Sequence, residues 1–356
     1  MEGHAELVSE FGEIADRSSE YRAQQPWLPT SEAIFVWDDA FHDLMLGDKL
    51  RMQKYRRAIF ETVQPGDVVV DLGVGSGILS YWAIEAGARI VYGIEMSDPI
   101  LDRALRSLER ADVKDRFVPV RGISYDVTLP ERADVLISEI IGNMGDNENI
   151  QSILSDAKAR FLRPEGRCIP EWVEAWIVPV DADLAHAAVA SGRIEVLNAG
   201  YQIEDIKRGR ASNSLFDLYY DCIIPGSCQL ASPIRLQRYG GDWTQSAQYD
   251  VSSTFRLART GRFSGFKAFF KAQLSPDCIL DISGDDIAAR ACSDSWKHAY
   301  LPIEDPIDCR GGDILTLNYA RSTKQREGRG LGQVYRWDGF VERDGTRIAG
   351  FSQSTA

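Results

Sequence analysis

The chain has 356 residues, 44% of them hydrophobic and 26% charged, with a formal charge of −13 at neutral pH. That length can bury a sizeable core and suggests about two domains. The acidic balance argues against a nucleic-acid-binding surface and leaves a cationic molecule as the natural partner.

No apolar run approaches the ~18 residues of a membrane span. The start, MEGHAELVSEFGEIADRSSEYR, has neither the basic nor the apolar stretch of a signal peptide. A cytoplasmic protein with no membrane partner is expected. Six cysteines (Cys168, Cys222, Cys228, Cys278, Cys292, Cys309) contain no CxxC pair, and four histidines (His4, His42, His186, His298) form no metal spacing with them. The cysteines read as buried, reduced thiols, and no metal is expected.

Along the chain, Leu7, Val8, Phe11, Ile14 and Ala15 fall on one helical stripe. An N-terminal helix is expected within residues 1–30, ended by Gln24-Gln25-Pro26-Trp27-Leu28-Pro29. From Val68 strands and helices alternate: Val68–Leu72 strand, Ile78–Ala86 helix, Ile90–Ile94 strand, Pro99–Arg110 helix, strands at Phe117–Val120 and Val135–Ile137, and Ile150–Leu162 helix. This predicts βαβ units on a parallel sheet, an α/β Rossmann-like unit over residues 31–168. After Arg163-Pro164-Glu165-Gly166 strand-like runs dominate (Trp172–Val180, Phe216–Ile224, Thr254–Leu257, Phe266–Leu274, Ile314–Tyr319, Gln333–Phe340), separated by Gly-Gly and Pro-Gly turns. A β-barrel or sandwich is expected over residues 169–356, with an Ala-rich, helix-like insertion at about 181–214.

Asp71-Leu72-Gly73-Val74-Gly75-Ser76-Gly77 follows a strand and opens a helix. Gly73, Gly75 and Gly77 let the backbone turn tightly and approach a ligand, and the helix start favours negative charge. The next strand ends at Glu95, where a carboxylate can accept both ribose hydroxyls of an adenosine-containing ligand. The spacing is GxGxG, the form of class I methyltransferases, rather than the GxGxxG of dinucleotide enzymes. A dinucleotide ligand, or a tight turn with none, remains the alternative.

A later strand ends at Ser138-Glu139-Ile140-Ile141-Gly142-Asn143-Met144-Gly145-Asp146-Asn147-Glu148. Ligands of open parallel sheets sit at the carboxyl ends of strands, so Glu139 faces the same crevice as the glycine loop. Glu148, across a glycine-containing loop, can fold back toward it, or can simply favour the start of the helix near Ile150.

At these residues the chain resembles the protein arginine methyltransferases, whose signature is Ser-Glu-x-x-Gly with a second Glu at this interval. DLGVGSGILSYWAIEAGA and VYGIE resemble their cofactor motifs, Leu162-Arg163-Pro164-Glu165-Gly166-Arg167-Cys168-Ile169-Pro170 their crossing into a barrel, and Ser295-Trp296-Lys297 their Thr-His-Trp-Lys. The resemblance implies S-adenosylmethionine as cofactor, held by Arg51, Asp71, Gly73, Gly75, Gly77, Glu95, Ser124 and Tyr125. It implies Glu139 and Glu148 as the catalytic pair and Met45, Ser295 and Trp296 in the substrate pocket. It also makes residues 181–214 an arm for a homodimer. The chain departs from the family pattern at Ala33-Ile34-Phe35-Val36-Trp37, where paired aromatics are usual, at Ser295, where the family has histidine, and at Ser124-Tyr125-Asp126.

A guanidinium stays protonated, is a poor nucleophile, and must approach a cationic sulfonium. Two unit charges about 4 Å apart repel by around 4 kcal/mol at an effective dielectric near 20. One carboxylate offsets that, and a second makes binding favourable. The altered entry residues tilt the expected substrate narrowly toward free L-arginine or a guanidino metabolite. Lys297, Asp38 and Asp39 are candidates for its α-carboxylate and amine. Arginine within a protein is the alternative substrate. An inactive cofactor-binding scaffold is a second alternative, disfavoured by the two glutamates.

Overall fold

The computed structural model describes Phe11, residues 22–27, 43, 45–195, 207, 210–285, 295–325 and 331–356. Most of the N-terminal stripe, the 33–37 aromatic segment, Asp38, Asp39, Cys292 and part of the 181–214 insertion lie outside the described residues.

Strand β1 (Pro26–Trp27) and helix α1 (Lys49–Thr62) precede a five-stranded sheet. Its strands are β2 (Val68–Leu72), β3 (Ile90–Glu95), β4 (Phe117–Arg121), β5 (Ala133–Ser138) and β6 (Leu162–Ile169), in spatial order β4-β3-β2-β5-β6 and parallel throughout. Every residue of β2 is buried, as its unbroken Val68-Val69-Val70 run requires of a central strand covered on both faces. Helices α2 (Ile78–Glu85), α3 (Asp98–Arg110) and α4 (Ile150–Phe161) connect the strands. Each predicted strand and helix of this half is present, with its ends shifted by a residue or two. The strand β6, read in the sequence only as a crossing segment, joins the sheet edge beside β5. The order reverses between β2 and β5, so the crevice at their carboxyl ends is the ligand position of such sheets.

The second half is antiparallel. One sheet runs β1-β8-β13-β11-β7-β9, using β7 (Trp172–Val180), β8 (Tyr220–Cys222), β9 (Ile234–Gly240), β11 (Gly261–Ser275) and β13 (His298–Cys309), with β12 (Cys278–Asp281) paired to β11. The other runs β10-β14-β15-β16, from β10 (Tyr249–Arg256), β14 (Ile314–Gln325), β15 (Leu331–Arg343) and β16 (Thr346–Ser354). A core that includes Phe263, Phe266 and Phe351 fills the space between the sheets, with ring centroids 5.0–5.7 Å apart in edge or tilted contacts. The Phe216–Ile224 strand expected from the sequence is only Tyr220–Cys222, because Leu215–Asp217 forms a short 3-10 turn.

The insertion begins with helix α5 (Asp183–Ala190). Ala185 and Val189 are buried in the chain's own core, and His186 Nε2 lies 3.0 Å from the Ile303 carbonyl. The surface this helix offers a neighbour is therefore narrower than its apolar composition suggests, with Leu184 68% exposed. The five described cysteines are free and buried. No helix among the described residues is long and apolar enough to cross a membrane.

Candidate active site

The glycine loop closes the β2–α2 corner. Gly73, Gly75 and Gly77 all have positive φ, at 81°, 55° and 89°. At Gly77 an added Cβ would also lie 3.2 Å from Ala104 Cβ, so this turn and the α3 packing both need glycine. Glu95, at the end of β3, accepts from Gly75 N at 3.2 Å and Ser97 N at 3.0 Å, which holds its carboxylate against the loop. Asp71 is fully buried. Its Oδ2 accepts from Ser80 Oγ at 2.6 Å, while Oδ1 has no hydrogen-bond partner. Burial, reinforced by the nearby Glu95 charge, pushes its carboxyl up to about 7. An orphaned buried carboxylate oxygen beside a glycine loop suits a ligand carrying a donor or a positive charge. Ser124 is buried and Tyr125 leaves its ring half-exposed on the next turn. These groups fit S-adenosylmethionine, whose ammonium, ribose hydroxyls and adenine need a carboxylate, a strand-end acid and an adjoining surface.

Across the crevice, Ser138 Oγ donates to the Leu72 carbonyl at 2.8 Å, tying the end of β5 to the end of β2. Glu139 follows directly. Helix α1 is aimed at it: Asp48 caps the helix by accepting from Arg51 N at 3.0 Å, and Tyr55 OH donates to the Ser138 carbonyl at 3.2 Å. Arg51 and Tyr55 are one turn apart and share that face. Arg51 Nη2 consequently pairs with Glu139 Oε2, and its guanidinium lies 4.9 Å from the Trp296 ring centroid and 3.3 Å from Ser295 Oγ. Burial lowers the Arg51 guanidinium to about 10, leaving it a cation at neutral pH.

Glu148 is 9% exposed, and burial pushes its carboxyl up to about 7. The Arg51 charge opposes that rise, and the Asp221 charge adds to it. The structure therefore brings Glu139, Ser295 and Trp296 together on Arg51, with Glu148 near enough for its charge and that of Arg51 to act on each other. Trp296 is part of the core and touches the two-glutamate loop. Its Nε1 donates to the Ile141 carbonyl of the two-glutamate loop at 2.7 Å, and its ring meets Phe270 edge-on at 5.1 Å. Met45 is buried beside the same corner, with Asp48 N donating to its carbonyl at 3.3 Å. Lys297 does not line the cleft mouth as an exposed charge: it is 2% exposed, with its ammonium 5.1 Å from the Trp27 ring centroid.

Two carboxylates near these residues, Asp48 and Asp221, escaped the sequence reading. Asp48 accepts from both Ser295 N and Ser295 Oγ, at 3.1 and 3.0 Å, clasping two distant segments together. Asp221 accepts from Asn143 Nδ2, and Asn147 Nδ2 donates to Asn143 Oδ1 at 3.1 Å. An Asp just before a helix is a capping signal that could have flagged Asp48. A lone carboxylate within the apolar run around Tyr220-Asp221-Cys222 was the only trace of Asp221.

A parallel sheet with this strand order, glycine loop and strand-end acid defines a class I methyltransferase domain, for which the cofactor is S-adenosylmethionine. The family model described as "Ribosomal protein L11 methyltransferase (PrmA)" matches residues 54–170. "Protein arginine N-methyltransferase PRMT10" of Oryza sativa subsp. japonica is 37% identical over 164 residues, 45% of this chain and 43% of that protein. "Protein arginine N-methyltransferase 6" of Danio rerio is 31% identical over 184 residues, 50% of this chain and 51% of that one. The matches thus span about half the length of these curated relatives. The Arabidopsis thaliana protein arginine methyltransferase 10 crystal structure, 20% identical, superposes with a TM-score of 0.71 over 88% of this chain and 97% of that one. A Trypanosoma brucei PRMT1 enzyme-prozyme complex with AdoHcy, 17% identical, gives 0.72 over 92% and 99%, likewise a likeness of fold. The chain is thus similar in sequence to protein arginine methyltransferases in its cofactor half and shares the fold of their solved structures along most of its length.

Proposed function

We propose that this chain is an S-adenosylmethionine-dependent N-methyltransferase of arginine guanidinium groups in proteins. The observation that carries the reading is Arg51. A guanidinium already sits in the cleft, paired with Glu139 and within electrostatic reach of Glu148, so the pocket's charge suits that group. The similarity to enzymes named for protein and histone arginine favours a protein substrate over the free arginine expected from the altered entry residues.

When bound, S-adenosylmethionine supplies an electrophilic methyl group on a sulfonium. The chain's own residues do the rest. Glu139 and Glu148 hold a guanidinium by charge-assisted hydrogen bonds and draw its positive charge toward the nitrogens they bind. The reacting nitrogen keeps more lone-pair character as a result. Glu148, with a carboxyl near 7, is suited to accept the released proton at neutral pH. Asp71, Glu95, the three glycines and the Ser124-Tyr125 turn hold the cofactor, and Arg51 is the cation available to its carboxylate. The division at residues 31–168 and 169–356, and a homodimer formed through the 181–214 insertion, belong to the same reading.

The test is mass spectrometry of products after incubation with the methyl donor and, in parallel, an arginine-glycine-rich peptide, free L-arginine and agmatine. Methylation of the peptide far above free arginine is expected. Preferential methylation of free arginine would move the substrate to a small molecule, and no methylation of any would leave only a cofactor-binding scaffold.

A further inference from the structure

The loop from Glu139 to Glu148 lacks helix and strand and contains Gly142 and Gly145; its own backbone ties are two turns, Gly145 N to the Gly142 carbonyl at 2.7 Å and Asn149 N to the Asp146 carbonyl at 3.2 Å. Yet Asp146, within that loop, is only 2% exposed. Its Oδ1 accepts from Tyr335 OH at 3.0 Å, and its Oδ2 from Tyr249 OH at 2.9 Å and Tyr239 OH at 3.4 Å. Arg321, also 2% exposed, brings Nε to 3.4 Å from Asp146 Oδ2. The same guanidinium donates through Nη2 to the Asp146 carbonyl at 2.8 Å and to Asn149 Oδ1 at 3.0 Å, and through Nη1 to the Ala247 carbonyl. Arg321 therefore clasps the residues on both sides of Glu148. The grip comes from four barrel strands, β9, β10, β14 and β15.

A buried ion pair is a poor device for stability alone, because apolar side chains of similar volume usually do as well. What it adds is direction: hydrogen bonds weaken steeply when bent, whereas apolar contacts tolerate sliding. We infer that Arg321, with Asp146 as its counterion, is a positioning residue that sets the placement of Glu148 and so the geometry in which a guanidinium is held. This rests on the reading of Glu148 as half of the substrate clamp.

The experiment compares the full chain with the double variant Asp146→Asn/Arg321→Met, which leaves no unpaired buried charge and keeps one amide oxygen to accept from the tyrosines, the amide nitrogen donating to a remaining hydroxyl oxygen. Arg321→Lys, which keeps the charge but loses the planar fork, covers the case in which the double variant does not fold. Four quantities are read: thermal melting, calorimetric affinity for S-adenosylhomocysteine, amide exchange over residues 142–149, and kcat and KM on the arginine-glycine-rich peptide. The expected result is cooperative melting and unchanged product affinity. Loop exchange should be about tenfold or more faster, and kcat lower by about tenfold to a hundredfold, as a misplacement near 1 Å produces. Parental kcat in a folded variant, or unchanged loop exchange, overturns the inference and leaves the pair a structural feature. Should the parent methylate neither peptide nor arginine, the substrate reading fails on its own, and the exchange comparison still decides whether Arg321 places the loop.

Discussion

At the scale of single residues, the cleft balances carboxylates against cations, and pH exposes that balance. In the proposed clamp Glu148 would bind a guanidinium only when ionised, and its carboxyl, raised to about 7 by burial, loses its charge as pH falls through that value. kcat/KM, which reports free-enzyme groups, should therefore drop about tenfold per pH unit below roughly 7. Two neighbours move that limb in opposite senses. Asp221, itself pushed up to about 6 by burial, repels the Glu148 charge, so Asp221→Asn should shift the limb to lower pH. Arg51 attracts it, so Arg51→Leu should shift it to higher pH while also weakening the Glu139 side of the clamp. Initial-rate profiles from pH 5.5 to 9 decide this; limbs that stay fixed in both variants would remove Glu148 as the titrating group. Glu139→Gln, which keeps shape but not charge, should lower turnover by at least about a hundredfold while calorimetry shows the cofactor still bound.

At the scale of elements, what was legible in the sequence follows from how local each signal is. The alternation of buried strands and helices from Val68 to Phe161 was readable because β2 is continuously apolar and α3 carries a clear apolar stripe through Ile100, Leu101, Ala104 and Leu108. Helix α1 was not read, although Met52, Tyr55, Ala58 and Ile59 recur at helical spacing, because its buried face also carries Arg51 and so does not look apolar. The strand β16 reads as mostly exposed, and β13 breaks its pattern with exposed Glu304 and Asp305, which hid both. Glu139 and Glu148 were legible because their chemistry lies within one loop. Asp48 with Ser295, and Asn143 with Asp221, meet only through tertiary contacts, and no local pattern records them. The glycine corner offers a test at this scale. Gly77→Ala places a Cβ at φ +89° and 3.2 Å from Ala104. A loss of about 1–2 kcal/mol in urea-measured stability is expected, with weaker binding of S-adenosylhomocysteine. An unchanged midpoint would mean that the turn relaxes without cost.

For the whole molecule, the open question is what the 181–214 insertion does, and helix α5 separates two answers. If the helix only packs on its own barrel, its inward residues matter and its outward one does not. If it also carries a homodimer, the outward residue carries the energy. Ala185 and Val189 face inward, while Leu184 leaves 68% of its surface exposed. Covering a leucine is worth about 1.5–3 kcal/mol when complete, so a partner has something to gain there. A charge at this position would have to be buried unpaired if a neighbour docked on it, at a cost of several kcal/mol, yet would cost the isolated chain almost nothing. Leu184→Glu should therefore leave melting of the monomer unit intact and shift the mass measured by light scattering at micromolar concentration from twice the chain mass to once. Ala185→Glu, by contrast, should lower the melting temperature whatever the assembly, because its carboxylate would enter the core that holds Val189. A wild-type chain already monomeric at that concentration, or a Leu184→Glu chain still dimeric, would take this surface out of the assembly.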